Sequence, residues 1–126
     1  MERFLIVCAG SAVGGGARYL VSMWAGERFG TAFPYGTLIV NLVGCFLITL
    51  VMHVAAATQM SMHMRLLLTT GFMGGLTTYS SFDFETTTLF QNGTPGTATL
   101  NLGLTVGGCF AAGLLGLLAG RLFVGE

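Results

Sequence analysis

The chain has 126 residues, of which 53% are hydrophobic and only 8% are charged. Soluble domains carry about 25% charged residues, so this chain has too little charge to cover a surface that faces water. Its five arginines balance its five acidic residues and form no basic run, which excludes nucleic acid as a partner and favours a lipid membrane.

The first two predicted helices are apolar stretches of about the 20 residues that a membrane span requires. The first runs from about residue 4 to residue 24, and Arg18 near its end is expected to reach the membrane surface or pair with an acid. The second covers residues 35–58 and has no formally charged residue. Asn41 in this span needs a partner, so its amide either donates to an anion or bridges two helices.

The third predicted span covers about residues 65–90 and is interrupted in its middle by glycines and hydroxyl side chains. Its residues 69–85 have the sequence TTGFMGGLTTYSSFDFE, which predicts a helix broken near residues 74–78. Unwound backbone inside a membrane must line a cavity or be buried in protein. A break leaves carbonyls that suit a hard cation such as sodium and amides that favour an anion. The alternative is a glycine kink that only permits close packing.

Aromatic and acidic residues follow this interruption. Tyr79 and Phe82 are three residues apart, so they share one face of the helix that resumes. Their electropositive ring edges suit a desolvated anion, although such a pair more often packs in a core or faces lipid. Asp83 and Glu85 flank Phe84 and point to different sides of the helix. Because a carboxylate repels an anion, we expect at least one of these acids to cap, pair or reach water.

The fourth predicted span covers residues 97–124 and has no charge before Arg121. The sequence therefore predicts an all-α fold, with four transmembrane helices in a single integral membrane domain over residues 1–126. Three arginines fall on one side of the membrane and one or two on the other, which is a weak orientation signal. A chain that inserts in both directions suits an antiparallel homodimer with dual topology.

Two segments contain specific motifs: residues 71–82 read GFMGGLTTYSSF and residues 36–44 read GTLIVNLVG. They resemble the signature GFxGGxTTFSTF and the second-helix motif GTLxxNxxG of the CrcB/Fluc family of fluoride channels. Residues 14–18 resemble part of its first helix, and the chain from Asn101 onwards resembles its fourth. The resemblance implies passive export of fluoride across the inner (plasma) membrane, which gives fluoride resistance. It also implies an antiparallel homodimer with two pores.

The resemblance further implies the residues that carry this function. A structural sodium ion at the dimer centre is expected on the backbone carbonyls of Gly74 and Thr77. Arg18 and Glu85 match the family's first-helix arginine and its acid, whereas Asp83 replaces a small residue. The fluoride pathway is expected to include Asn41, Tyr79, Ser80, Phe82, Thr105 and Cys109. Of these, Tyr79 and Cys109 depart from the usual phenylalanine and hydroxyl residue.

Three other functions fit the sequence less well. A small drug-resistance-type proton-coupled exporter requires a carboxylate embedded in the first helix, but no acidic residue lies between Glu2 and Glu27. A non-transporting membrane subunit is disfavoured by the predicted break in the third span. An enzyme is disfavoured because the sequence offers no nucleophile–base pair and no cluster of metal ligands.

Overall fold

The computed structural model describes residues 1–125, which fold into helices joined by short turns. No strand occurs among these residues, so the predicted all-α class is confirmed. The elements in chain order are α1 (Glu2–Phe29), α2 (Tyr35–Thr58), α3 (Met62–Leu66), a π-helical segment (Leu67–Met73), α4 (Gly74–Leu76), α5 (Tyr79–Gln91) and α6 (Pro95–Val124).

Helices α1, α2 and α6 are long and apolar enough to cross a membrane, judged by length and composition. Helix α1 continues beyond its apolar stretch through Glu27 and Arg28. Helix α6 starts at Pro95, whose fixed φ suits the first position of a helix. Many large apolar side chains on these helices are exposed, for example Leu20 and Phe123. Lipid rather than water solvates such a surface, so the chain is a multi-pass membrane protein.

The third apolar region is made of several pieces. Helix α3, the π-helical segment and α4 follow one another without a gap and end at Leu76. Thr77 (φ −83°, ψ 153°) and Thr78 (φ −153°, ψ 117°) then have extended backbone before α5 begins. These angles lie outside the helical region. Two residues of extended chain therefore separate α4 from α5.

Helix α1 packs directly on the backbone of the π-helical segment. A Cβ added to Gly10 would lie 2.9 Å from Gly71 Cα, and one added to Gly14 would meet the Phe72 carbonyl. The hydroxyl of Ser11 donates to the Gly71 carbonyl at 3.3 Å. Small residues permit this approach, as they do at other helix contacts in membranes.

Helices α2 and α6 run parallel and form the most extensive contact between two helices. Thr49 Oγ1 on α2 donates to the carbonyl of Gly113 on α6 at 2.8 Å. Further along both helices, a Cβ on Gly120 of α6 would lie 3.0 Å from His53 Cβ of α2. These contacts fix the register of the two helices.

Candidate functional site

Asn41 holds the backbone between α4 and α5 with both ends of its amide. Its Nδ2 donates to the Thr78 carbonyl at 3.0 Å, and its Oδ1 accepts from the Thr78 N–H at 2.8 Å. Both residues are buried. A buried backbone group without a helical partner must find another, and the amide supplies one for each group. One N–H and the oxygen of the Asn41 amide thus join α2 to the interruption, and the predicted donation to an anion remains a prediction for the second N–H.

The hydroxyl of Thr78 caps the N-terminus of α5. It accepts from the Ser81 N–H at 3.2 Å and lies 3.1 Å from the Ser81 hydroxyl and 3.2 Å from that of Ser80. Threonine is a favoured N-cap residue because its oxygen satisfies an N–H that the first helical turn leaves free. This role was not predicted, although a hydroxyl residue directly before a helical stretch is the usual signal of an N-cap.

The interruption diverts two N–H groups away from the carbonyls of Gly74 and Thr77. In a continuous α-helix, the N–H of Thr78 would donate to Gly74 and that of Ser81 to Thr77. They donate instead to Asn41 and to the Thr78 hydroxyl. Gly74 and Thr77 both line an open cavity of about 580 Å³. Uncharged carbonyl oxygens are ligands for hard cations, so these residues fit the sodium ion that the family resemblance implies.

Tyr79 and Phe82 contact each other at the start of α5. Their ring centroids are 5.4 Å apart and their planes are inclined by 65°, which is an edge-type contact. Phe82 is buried, with 3% of its surface exposed, whereas Tyr79 is 77% exposed. Ser80 and Asp83 are exposed on the same helix. The pair therefore extends from the protein interior to its outer surface.

A ladder of hydrogen bonds connects the Phe82 carbonyl to α6. Thr86 Oγ1 donates to this carbonyl at 2.7 Å, and Asn101 Nδ2 donates to Thr86 Oγ1 at 2.9 Å. Thr105 Oγ1 then donates to Asn101 Oδ1 at 3.4 Å. The ladder joins two predicted site residues through Thr86 and Asn101, which sequence analysis did not include in the site. Asn101 is a single asparagine in an apolar span, like Asn41, and this pattern could have identified it as a residue that needs a polar partner.

Glu85 points away from this ladder and towards α2. Its Oε1 accepts from the Thr37 hydroxyl at 2.7 Å. Its Oε2 is buried and has no hydrogen-bond partner within residues 1–125. The residue borders a cavity of about 220 Å³, which Ser22 and Thr31 also line. Glu85 thus ties α5 to α2.

Three other predicted residues lie apart from these groups. Arg18 and Asp83 make no hydrogen bond or ion pair with the part of the chain that the structure describes. Cys109 lies on α6 beside an open groove of about 760 Å³, which is also bordered by Cys45 of α2. The predicted residues are therefore distributed over the interruption, the ladder and this groove.

The fold and the site define a helical, multi-pass membrane protein with polar groups gathered around an interruption in its third apolar region. Residues 5–117 match the family described as "CrcB-like protein, Camphor Resistance (CrcB)". The chain belongs to the CrcB family, which confirms the resemblance found in its sequence.

Relatives of similar length support this assignment. The chain is 43% identical over 125 residues to the Fluoride-specific ion channel FluC of Sorangium cellulosum (strain So ce56), which covers 98% of each chain. It is 45% identical over 126 residues to the protein of the same name from Anaeromyxobacter dehalogenans (strain 2CP-1 / ATCC BAA-258), covering 99% of this chain and 100% of that one. These names describe ion channels, so the family confirms the prediction that the chain is not an enzyme.

Proposed function

We propose that the chain is a fluoride-selective channel that conducts fluoride passively out of the cell across the inner membrane and thereby gives fluoride resistance. The interruption at Thr77 and Thr78, fixed by Asn41 and followed directly by Tyr79 and Phe82, carries this proposal. The printed names of relatives at 43% and 45% identity support fluoride as the ion. A small, strongly hydrated anion requires polar partners that replace its water, as in other selectivity filters.

The fluoride pathway follows the aromatic pair and the polar side chains beside it. The positive ring edges of Tyr79 and Phe82 face the anion, since the quadrupole of an aromatic ring places positive charge at its edge. Ser80 and Cys109 supply hydroxyl and thiol donors along the way. Thr105 also belongs to the pathway, with its hydroxyl donating to Asn101. Asn41 supports the pathway by holding the backbone that leads into the aromatic pair.

A sodium ion stabilises the interruption. The carbonyls of Gly74 and Thr77 hold it, because their usual helical donors are engaged by Asn41 and the Thr78 hydroxyl. The ion supplies a fixed positive charge where the backbone presents negative ends of dipoles. Two carbonyls from each of two chains give four oxygen ligands, which suits a hard cation.

The functional unit is an antiparallel homodimer. Cys45, Ile48 and Met52 form one face of α2, and they line both the cavity of about 580 Å³ and the groove of about 760 Å³. Backbone carbonyls in such a cavity cannot face lipid, so a second copy of the chain covers this face. Two-fold symmetry then brings both pairs of carbonyls to one central ion. The weak arginine bias permits the opposite orientation of the two copies.

Passive conduction is tested in liposomes with equal fluoride on both sides and the voltage held at zero by potassium and valinomycin. A pH gradient is then imposed across the membrane. A channel moves no fluoride beyond that seen in protein-free liposomes, because no electrochemical gradient acts on the ion. Net uphill movement of fluoride would instead show transport coupled to protons and contradict a passive channel.

A further inference from the structure

Cys45 of α2 and Cys109 of α6 line the same groove between these helices, and the proposed conduction of fluoride does not use them as a pair. The two helices are parallel, and Thr49 of α2 donates to the Gly113 carbonyl of α6 at 2.8 Å. Cys45 lies four residues before Thr49 on α2, and Cys109 lies four residues before Gly113 on α6. Four residues are about one helical turn, so both cysteines lie one turn before this contact. Both thiols are free and half-buried, and both line the same groove between the two helices.

The two thiols border the open groove of about 760 Å³ between these helices. Apolar side chains, including Ile48, Phe110 and Leu114, make up most of its walls. An uncharged solute crosses apolar surroundings at little cost, so it reaches the sulfur atoms although a second copy of the chain covers this face of α2 in the proposed dimer. Its apolar walls disfavour any bound species that carries a net charge.

A pair of thiols in apolar surroundings favours a soft, divalent metal ion as its ligand. Thiolate sulfur is a soft ligand and prefers soft metal ions. Two thiolates neutralise a divalent ion, so the complex carries no net charge into the apolar groove. Tetrahedral zinc would require two more ligands, but residues 1–125 contain no group of three or more His, Cys, Asp or Glu side chains placed to hold a metal.

We propose that Cys45 and Cys109 form a binding site for a soft divalent metal ion of the mercuric class, which bridges α2 and α6. When mercuric chloride binds, each thiol releases its proton and forms one sulfur–mercury bond. Two mercury–chloride bonds break, and the two chlorides leave together with the two thiol protons as two equivalents of hydrogen chloride. Mercury remains divalent, so the step needs no oxidant or reductant.

The bridge inhibits fluoride flux because it places a metal on Cys109, within the pathway on the fourth span. It also prevents α2 and α6 from moving relative to each other. This consequence rests on the proposed function, whereas metal binding itself does not. The two are therefore measured separately.

Binding is measured with purified protein carrying Cys8→Ser, which removes the exposed thiol of α1 and leaves only the proposed pair. The protein is loaded with mercuric chloride and dialysed against a monothiol competitor, and the retained mercury is counted per chain. We expect one mercuric ion per chain, accompanied by mercury–thiolate absorption in the near ultraviolet. Adding Cys45→Ser or Cys109→Ser should weaken retention by about a hundredfold, because the second sulfur then no longer binds intramolecularly.

Retention of two mercuric ions per chain, or loss of only half the mercury in each single variant, would show independent thiols and contradict the site. A mercury bridge between two chains, seen as a linked dimer under denaturing conditions, would contradict it as well. So would an intramolecular disulfide formed by an added oxidant in a protein that retains no mercury. Should a serine variant elute abnormally on size exclusion, the Cys8→Ser protein supplies the test: one mercuric ion per chain must protect both remaining thiols from alkylation.

Fluoride efflux from liposomes gives the separate functional measurement. One mercuric ion per chain should block efflux through the Cys8→Ser protein and leave the Cys8→Ser, Cys45→Ser protein active. Normal efflux through fully loaded Cys8→Ser protein would contradict the bridge as an inhibitor. A chain that retains one mercuric ion but conducts no fluoride even without mercury would support the metal site and contradict the proposed function alone.

Discussion

Among single residues, Asn41 makes the most specific contacts, since one amide satisfies both backbone groups of Thr78. Replacing Asn41 with Ala leaves a buried N–H and a buried carbonyl without partners, at a cost of about 1–3 kcal/mol for each group. We expect Asn41→Ala to lower thermal stability measurably and to reduce fluoride efflux. Asn92→Ala, in the exposed turn after α5, is the matched control and should change neither. Unchanged stability in the Asn41 variant would contradict the bridging role.

Substitution in the aromatic pair distinguishes a role in anion coordination from a role in packing alone. Phe82→Ile keeps an apolar side chain at a buried position but removes the positive ring edge. If ring edges solvate fluoride, efflux should fall at least about tenfold, which corresponds to a barrier raised by about 1.4 kcal/mol. Phe84→Ile is the control, because Phe84 lies on the same helix and is 72% exposed. Normal efflux in a folded Phe82→Ile protein would reduce the pair to core packing.

Substitution of Tyr79 tests whether fluoride efflux requires a phenolic hydroxyl at this position. Its ring contacts Phe82 edge-on and is otherwise exposed, and its hydroxyl makes no hydrogen bond with residues 1–125. Tyr79→Phe retains the ring and restores the residue that is usual in the family signature. We therefore expect efflux close to that of the wild type. Impaired efflux in liposomes would show that the hydroxyl has a function, for example towards Asp83.

At the level of helices, glycine determines how closely α2 and α6 approach. A Cβ on Gly116 would collide with the Phe46 carbonyl and the Thr49 hydroxyl, whereas one on Gly103 of the same helix meets nothing within 4 Å. Overpacking of this kind costs about 1–3 kcal/mol. Gly116→Ala should therefore lower the thermal unfolding temperature, and Gly103→Ala should not. Equal stability of the two variants would show that the helices adjust without cost.

Sequence predicted the apolar helices because length and composition alone identify a membrane span. Glycines and hydroxyl side chains also marked the region between α4 and α5. The π-helical segment Leu67–Met73 was not predicted, since its widened backbone fits against α1 and depends on which helix lies next to it. The partners of Asn41, Thr86 and Asn101 were missed for the same reason: a polar side chain signals that it needs a partner, but only tertiary packing determines which one.

For the whole molecule, the proposed sodium ion links the interruption to dimer assembly. Its ligands are backbone carbonyls at Gly74 and Thr77, so side-chain substitution tests them poorly. Exchange of sodium for a bulky organic cation by prolonged dialysis should shift the protein towards monomer on size exclusion and reduce fluoride efflux, because the carbonyls lose their cation. Dialysis against sodium under the same conditions is the control. An unchanged elution profile and efflux after complete exchange would contradict a sodium ion at the dimer centre.

Selectivity for fluoride is the property on which the proposed function depends most. Purified protein is reconstituted into liposomes loaded with either potassium fluoride or potassium chloride, and anion efflux is followed with ion-selective electrodes after valinomycin is added. We predict rapid efflux of fluoride and no chloride efflux above that of protein-free liposomes, because ring edges and fixed donors suit the small, strongly hydrated anion. Chloride leaving as fast as fluoride, or no fluoride efflux from correctly folded protein, would contradict a fluoride-selective channel.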